Sequence, residues 1–206
     1  MSPIGPIAPT NTRLLTLTLP AHSSFVRIHQ VKDGPVWFGP SPGSPPAYRF
    51  DAPAGQYRTL YAAEFLEGAF AETILRRARR IISRDYVELR QWSILSATRD
   101  LTLLKLFDEG LVFHGVTADI CTGDDYTNAQ RFGGELHGHY PEIDGIAYRA
   151  RHNNGQICYA LYDRVLPSQV DVVEARKFSD ERAVTDELMR KHNASWDPMA
   201  PLPPPT

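Results

Sequence analysis

Cysteine is nearly absent: Cys121 and Cys158 are the only two in 206 residues, and no CxxC spacing occurs. Neither a disulfide framework nor a CxxC metal or redox site is indicated, and both cysteines sit in strand-like surroundings where the side chain behaves as a small hydrophobe. An excess of one charge is missing too. Lys and Arg total 22 against 24 Asp and Glu, a formal net charge of −2, so no global field draws the chain to nucleic acid or an anionic membrane. No apolar run approaches the roughly 18 residues of a membrane span, and "MSPIGPIAPTNT" has no basic start followed by an apolar core. The expectation is a soluble, cytoplasmic protein. GxGxxG, GxxxxGK[ST], GxSxG and HExxH are all absent; a Rossmann site, a P-loop, an α/β-hydrolase and a zincin therefore lack their signatures.

What is present is strand-forming sequence. The segments 13–19, 25–30, 56–63, 86–95, 100–107, 145–151, 157–163 and 169–175 are rich in β-branched or aromatic residues, mostly in period-two alternation. Helical patterns interrupt them at 67–83, at about 124–139, and at 179–192, where Ser179, Asp180 and Glu181 precede and Arg190, Lys191 and His192 follow the sense of the helix dipole. Strands outnumber helices without alternating regularly with them, so the class expected is α+β in a single domain. Proline-rich segments at 1–11 and 197–206 flank a folded unit at 12–196, and "GPSPGSPPA" at 39–47 reads as a surface loop.

The stretch "YAAEFLEGAFAETILRRARR" at 61–80 raises a question. At about 100° per residue, Leu66, Phe70, Ala71, Ile74, Ala78 and Ile81 gather on one side, and Glu72 points away with Phe65, Ala69 and Arg76. The plainer reading makes Glu72 a solvated partner of Arg76 at i,i+4, worth roughly 0.3 kcal/mol. "RRARR" at 76–80, extended by Arg84, offers a phosphate-binding patch, but its plainer reading is structural: cations gathered at the negative end of a helix. "HGH" at 137–139, near Glu135, Glu142 and Asp144, offers metal-ligand types without a third ligand at a known spacing. Arg27 in "FVRIHQ", Arg49 in "AYRFD" and Tyr61 at the end of a strand all lie where strands meet loops, the usual mounting for binding groups. Each also has a structural reading, as a cross-strand pair or a core ring.

Order and context add more. "FVRIH", "PVWFGP", "AYRFDAPAGQYRTLYAA", "GAFAETILRR" and "DGIAYRARHNNGQICYALYDR" together resemble the RES-domain family over about residues 25–165. The strongest piece is Arg49-Phe50, then Leu60 to Ala63, then the helix start Ala69 to Glu72. The resemblance implies an ADP-ribosyltransferase-like split β-sheet with flanking helices. It implies an activity that degrades NAD⁺, and a role as the toxin of a bacterial toxin-antitoxin pair with a cognate antitoxin as partner. By position, the family's arginines fall on Arg27 and Arg49, its tyrosine on Tyr61 and its glutamate on Glu72. The family's serine falls on Ala150, ahead of Arg151 and His152, where the hydroxyl is missing.

The chemistry suits those residues. Breaking the nicotinamide-ribose bond builds positive charge at C1′, which a carboxylate stabilises, and Glu72 takes that role with Arg27 beside it. Arg27 and Arg49 are the forks for the pyrophosphate, and Tyr61 is the ring to stack on nicotinamide. If the family's hydroxyl touches substrate, Ala150 marks that contact. No metal or cofactor is required; NAD⁺ is the substrate. The acceptor stays open between water, phosphate and a protein target, as do a non-catalytic NAD-binding module and assembly with copies of itself.

Overall fold

The computed structural model describes residues 13–41, 43–76 and 80–198. The proline-rich start at 1–11 and positions 199–206 of the tail lie outside the described residues. Ten strands and six α-helices occur among those described: β1 (Thr16–Leu19), β2 (Ser24–Gln30), β3 (Thr59–Ala63), α1 (Leu66–Thr73), β4 (Ile81–Ile82), α2 (Arg84–Glu88), β5 (Arg90–Ala97), β6 (Leu101–Leu106), α3 (Glu109–Phe113), α4 (Asp119–Thr122), α5 (Thr127–His139), β7 (Gly145–Ala150), β8 (Asn153–Tyr162), β9 (Val170–Lys177), α6 (Arg182–Lys191) and β10 (Ser195–Trp196).

Period-two alternation decides the architecture. Eight strands form one mixed sheet in the order β1-β6-β7-β8-β3-β2-β5-β9, with β6 and β7 parallel and the other neighbours antiparallel. Phe25, Leu60, Ala62, Leu95, Leu103 and Leu161 face one side, under Phe38 and Val165 from loops. Val26, Ala63, Leu104, Tyr148, Ala160 and Tyr162 face the other, against Phe70 of α1 and Phe132 and Leu136 of α5. Alternate residues of a strand point to opposite faces, so both faces become cores. Phe70 is wholly buried between helix and sheet; truncating such a ring to alanine costs about 3–5 kcal/mol. The molecule is a single α+β domain.

One junction in the sheet matters for the site. β2 runs beside β5 from Ser24 to Gln30, and β3 runs beside β8 along its whole length, yet β2 and β3 pair only at Val26 and Ala63. The sheet forks there, and α1 packs across the fork against β2, β3, β7 and β8. Its "GAFA" stretch permits the close approach: a Cβ on Gly68 would sit 3.0 Å from the Cβ of Gln156 and 3.1 Å from that of Ala63.

Two expectations need correction. The helix expected over 67–83 ends at Thr73, and residues 77–79 within that span lie outside the described ones. Beyond them Ile81 and Ile82 form a short parallel pair with Ser195 and Trp196. Two β-branched residues found a strand partner more than 100 positions away, which local helical pattern does not register. The strand expected from residue 86 begins at Arg90, because 84–88 form α2.

Candidate active site

Glu72 stands in the last turn of α1, on the face that the helical wheel assigned to solvent. That face borders a cleft at the fork instead. Glu72 lines it with Ala69 and Thr73 of the same helix region, Ile28 of β2, and Tyr61 and Ala62 of β3. The carboxylate is half-buried, and its Oε1 accepts the backbone N–H of Arg151 at 2.7 Å. Burial raises its pKa above the ordinary 4.5, and the Arg151 N–H with the charges of Arg49, His152 and Arg76 oppose the shift.

Arg49 approaches from the segment before β3. Its guanidinium is buried, donates to the carbonyl of Ile120 at 3.3 Å, and lies 4.6 Å from the centre of the Tyr126 ring. A buried aspartate fastens this segment. The fully buried Asp51 accepts the N–H groups of Ala47 (2.9 Å) and Tyr48 (2.8 Å) and the hydroxyl of Tyr61 (3.0 Å). Tyr61 in turn accepts the N–H of Phe50 at 2.9 Å. With its hydroxyl turned inward, Tyr61 offers the cleft its ring, which meets Tyr48 edge-on at 5.5 Å. Burial and the neighbouring Asp51 carboxyl hold its phenol protonated.

Arg27 occupies β2 on the strand face of Phe25 and His29, opposite Val26 and Ile28. It is buried, donates to the carbonyl of Trp37, and lies 5.9 Å from that ring's centre. Burial lowers its pKa to about 10. It lines a second lobe of the cleft, which Glu72, Tyr61 and Arg76 also border. Glu72, Arg49 and Tyr61 thus share one lobe, and Glu72 and Tyr61 share the other with Arg27. Ala150 differs. Tyr148 and His152 line the cleft, but the methyl of Ala150 between them is wholly covered by the apolar core. The β7–β8 register shifts between Arg149 and Ala150.

Two residues were missed from the sequence. Asp51 stands inside the "AYRFD" stretch, where an acidic residue next to an aromatic core position was the available signal. Tyr126, just before α5, carried none. Arg76, which follows the true end of α1, was given a structural reading as a helix-end cation and partner of Glu72. Among the described residues no group of three His, Cys, Asp or Glu is placed to hold a metal. The His137 ring stacks on Tyr57 at 4.4 Å. Both cysteines are buried and unpaired.

Comparison with known proteins follows the same lines. A chain from the crystal structure of the M. tuberculosis MbcT-MbcA toxin-antitoxin complex superposes with a TM-score of 0.62 at 16% identity, covering 84% of this chain and 92% of the other. A search of curated protein sequences finds no significant match. A family model described as RES domain matches residues 24–186, which include the fork and the residues that line the cleft. The chain belongs to the RES domain family.

Proposed function

We propose that this protein cleaves the nicotinamide-ribose bond of NAD⁺, passing ADP-ribose to water or phosphate, and that it acts as a toxin by depleting NAD⁺. The observation that carries the reading is Glu72, a half-buried carboxylate held by the Arg151 N–H in a cleft whose lining includes the arginines Arg49, Arg76 and Arg151 and the tyrosines Tyr61, Tyr126 and Tyr148. As the C1′–N bond breaks, its electron pair leaves with nicotinamide, which departs neutral, and the sugar becomes an oxocarbenium-like cation. A fixed carboxylate stabilises that cation, more strongly inside a partly desolvated cleft than in water. An acceptor oxygen then bonds to C1′ and gives its proton to solvent. Arg27 and Arg49 hold phosphate oxygens, and the ring of Tyr61 meets the flat nicotinamide.

The substrate needs no metal or further cofactor in this scheme. The MbcT-MbcA complex pairs a toxin with an antitoxin, and a cognate antitoxin is the partner proposed here. No helix among the described residues is long and apolar enough to cross a membrane, consistent with action on cytoplasmic NAD⁺.

The test is direct. Purified protein is incubated with NAD⁺, with and without inorganic phosphate, and products are identified by mass spectrometry. Nicotinamide release is expected, and the mass of the second product names the acceptor. An unchanged NAD⁺ pool sinks the proposal.

A further inference from the structure

Arg76 has no role in the scheme above, yet it borders both lobes that Glu72 lines and a neighbouring cavity that Glu72 does not reach. Its guanidinium lies 4.6 Å from the centre of the Tyr48 ring and 5.9 Å from that of Tyr126, and it donates to the Tyr126 hydroxyl at 3.3 Å. Among the described residues no carboxylate lies within salt-bridge range of it, whereas Arg149 pairs with Asp108 and Arg151 with Asp124. The i,i+4 geometry that would bring Glu72 to it is lost because α1 ends at Thr73.

A guanidinium is planar, with five N–H donors around its edge. Aromatic rings engage its faces and leave most of the edge for a ligand, and phosphate oxygens match that edge in spacing and charge. Arg49 also lies over the Tyr126 ring, 4.6 Å from its centre, so one tyrosine touches both cations in the cleft.

We infer that Arg76, clamped by Tyr48 and Tyr126, is the specificity-determining contact for the diphosphate of the dinucleotide, acting with Arg49. Arg27, which lines only the lobe without Arg49, is the lesser phosphate contact. This rests on the reading of NAD⁺ as substrate, and it separates the two ends of the cleft. Glu72 acts where the bond breaks, and Arg76 decides that a phosphate-bearing substrate is held.

The experiment uses ADP-ribose, which carries the diphosphate and lacks the scissile bond. Its dissociation constant and that of nicotinamide are measured by calorimetry on the full chain and on Arg76→Gln and Arg76→Lys, while nicotinamide release from NAD⁺ is followed for the unsubstituted chain. The expected result is at least tenfold weaker ADP-ribose binding for Arg76→Gln, partial recovery in Arg76→Lys, and nicotinamide binding unchanged in both. ADP-ribose binding within twofold of the unsubstituted chain in Arg76→Gln overturns the assignment, as does an unsubstituted chain that fails to bind ADP-ribose at millimolar concentration. If Arg76→Gln loses ADP-ribose while the unsubstituted chain releases no nicotinamide, the catalytic reading fails and the phosphate contact stands.

Discussion

The carboxylate of Glu72 is bonded to the backbone N–H of Arg151, 79 residues away, at 2.7 Å, and not to the side chain of Arg76 four residues on. That bond ties the end of α1 to the turn after β7. It orients a charge that burial disfavours, and a charge held where it is disfavoured is a feature of catalytic sites more often than of surfaces.

Glu72→Gln is expected to lower NAD⁺ turnover by at least about a hundredfold, the scale for losing one electrostatic stabiliser of a transition state. The amide oxygen still accepts from Arg151, and the folded state no longer carries a partly desolvated charge, so the melting temperature should hold or rise. Nicotinamide release and a thermal melt on the same preparation check both halves. A folded variant with undiminished turnover removes Glu72 from the mechanism.

The same carboxylate sets a pH dependence. Its folded-state pKa lies above the ordinary 4.5 because burial outweighs the nearby positive groups. Ionisation therefore penalises the folded state. That penalty is absent below pH of about 4, where folded and unfolded chains are both protonated, and is complete above the folded pKa. Catalysis runs the other way, since the ionised form is the active one. Turnover should fall toward acid with a midpoint above 4.5, checked by kcat/KM from about pH 4 to pH 8. A midpoint at or below the ordinary glutamate value contradicts the reading.

The strands were legible because both faces of this sheet are cores. Alternation along 145–151 and 157–163 sorts Tyr148, Ala160 and Tyr162 to one side and Ala147, Tyr159 and Leu161 to the other. Helix length was less legible. No glycine or proline follows Thr73, so local pattern carried the helix on to residue 83, while the chain turned toward β10 for reasons of tertiary pairing. That error gave Arg76 its helix-end reading, from a turn that does not exist. Asp51 and Tyr126 were hidden differently: their contacts join Asp51 to Tyr61 and Tyr126 to Arg49 across loops, and loops have no period to read.

Ala150→Ser tests the position on which the sequence resemblance places the family's serine. The methyl is fully covered, so an added hydroxyl enters apolar surroundings and costs about 1–3 kcal/mol without a partner. For a chain of this size that is a fall of about 2–10 °C in melting temperature. Turnover should stay within twofold. A rise of tenfold with no loss of stability would show that a hydroxyl there reaches the substrate, and would mark this chain as a weakened member of its family.

Tyr126 provides the sharpest test of how the arginines are held. Its ring has Arg49 at 4.6 Å and Arg76 at 5.9 Å, and its hydroxyl accepts from Arg76 at 3.3 Å. Tyr126→Phe keeps both ring contacts and loses only an exposed hydrogen bond, so KM for NAD⁺ should rise less than threefold. Tyr126→Leu keeps bulk and removes both cation-π contacts. Those contacts, about 0.5–1 kcal/mol each, hold the two arginines in place; without them the arginines lose their fixed positions and KM should rise by about fivefold or more, on the order of 1 kcal/mol of binding. Because the ring spaces the diphosphate contacts and not the scissile bond, kcat should change by less than about threefold, the signature of lost uniform binding. Steady-state kinetics of nicotinamide release separate the two constants. Equal KM values for the Phe and Leu variants would mean that the ring is dispensable, and a fall confined to kcat would place Tyr126 at the reacting centre beside Glu72.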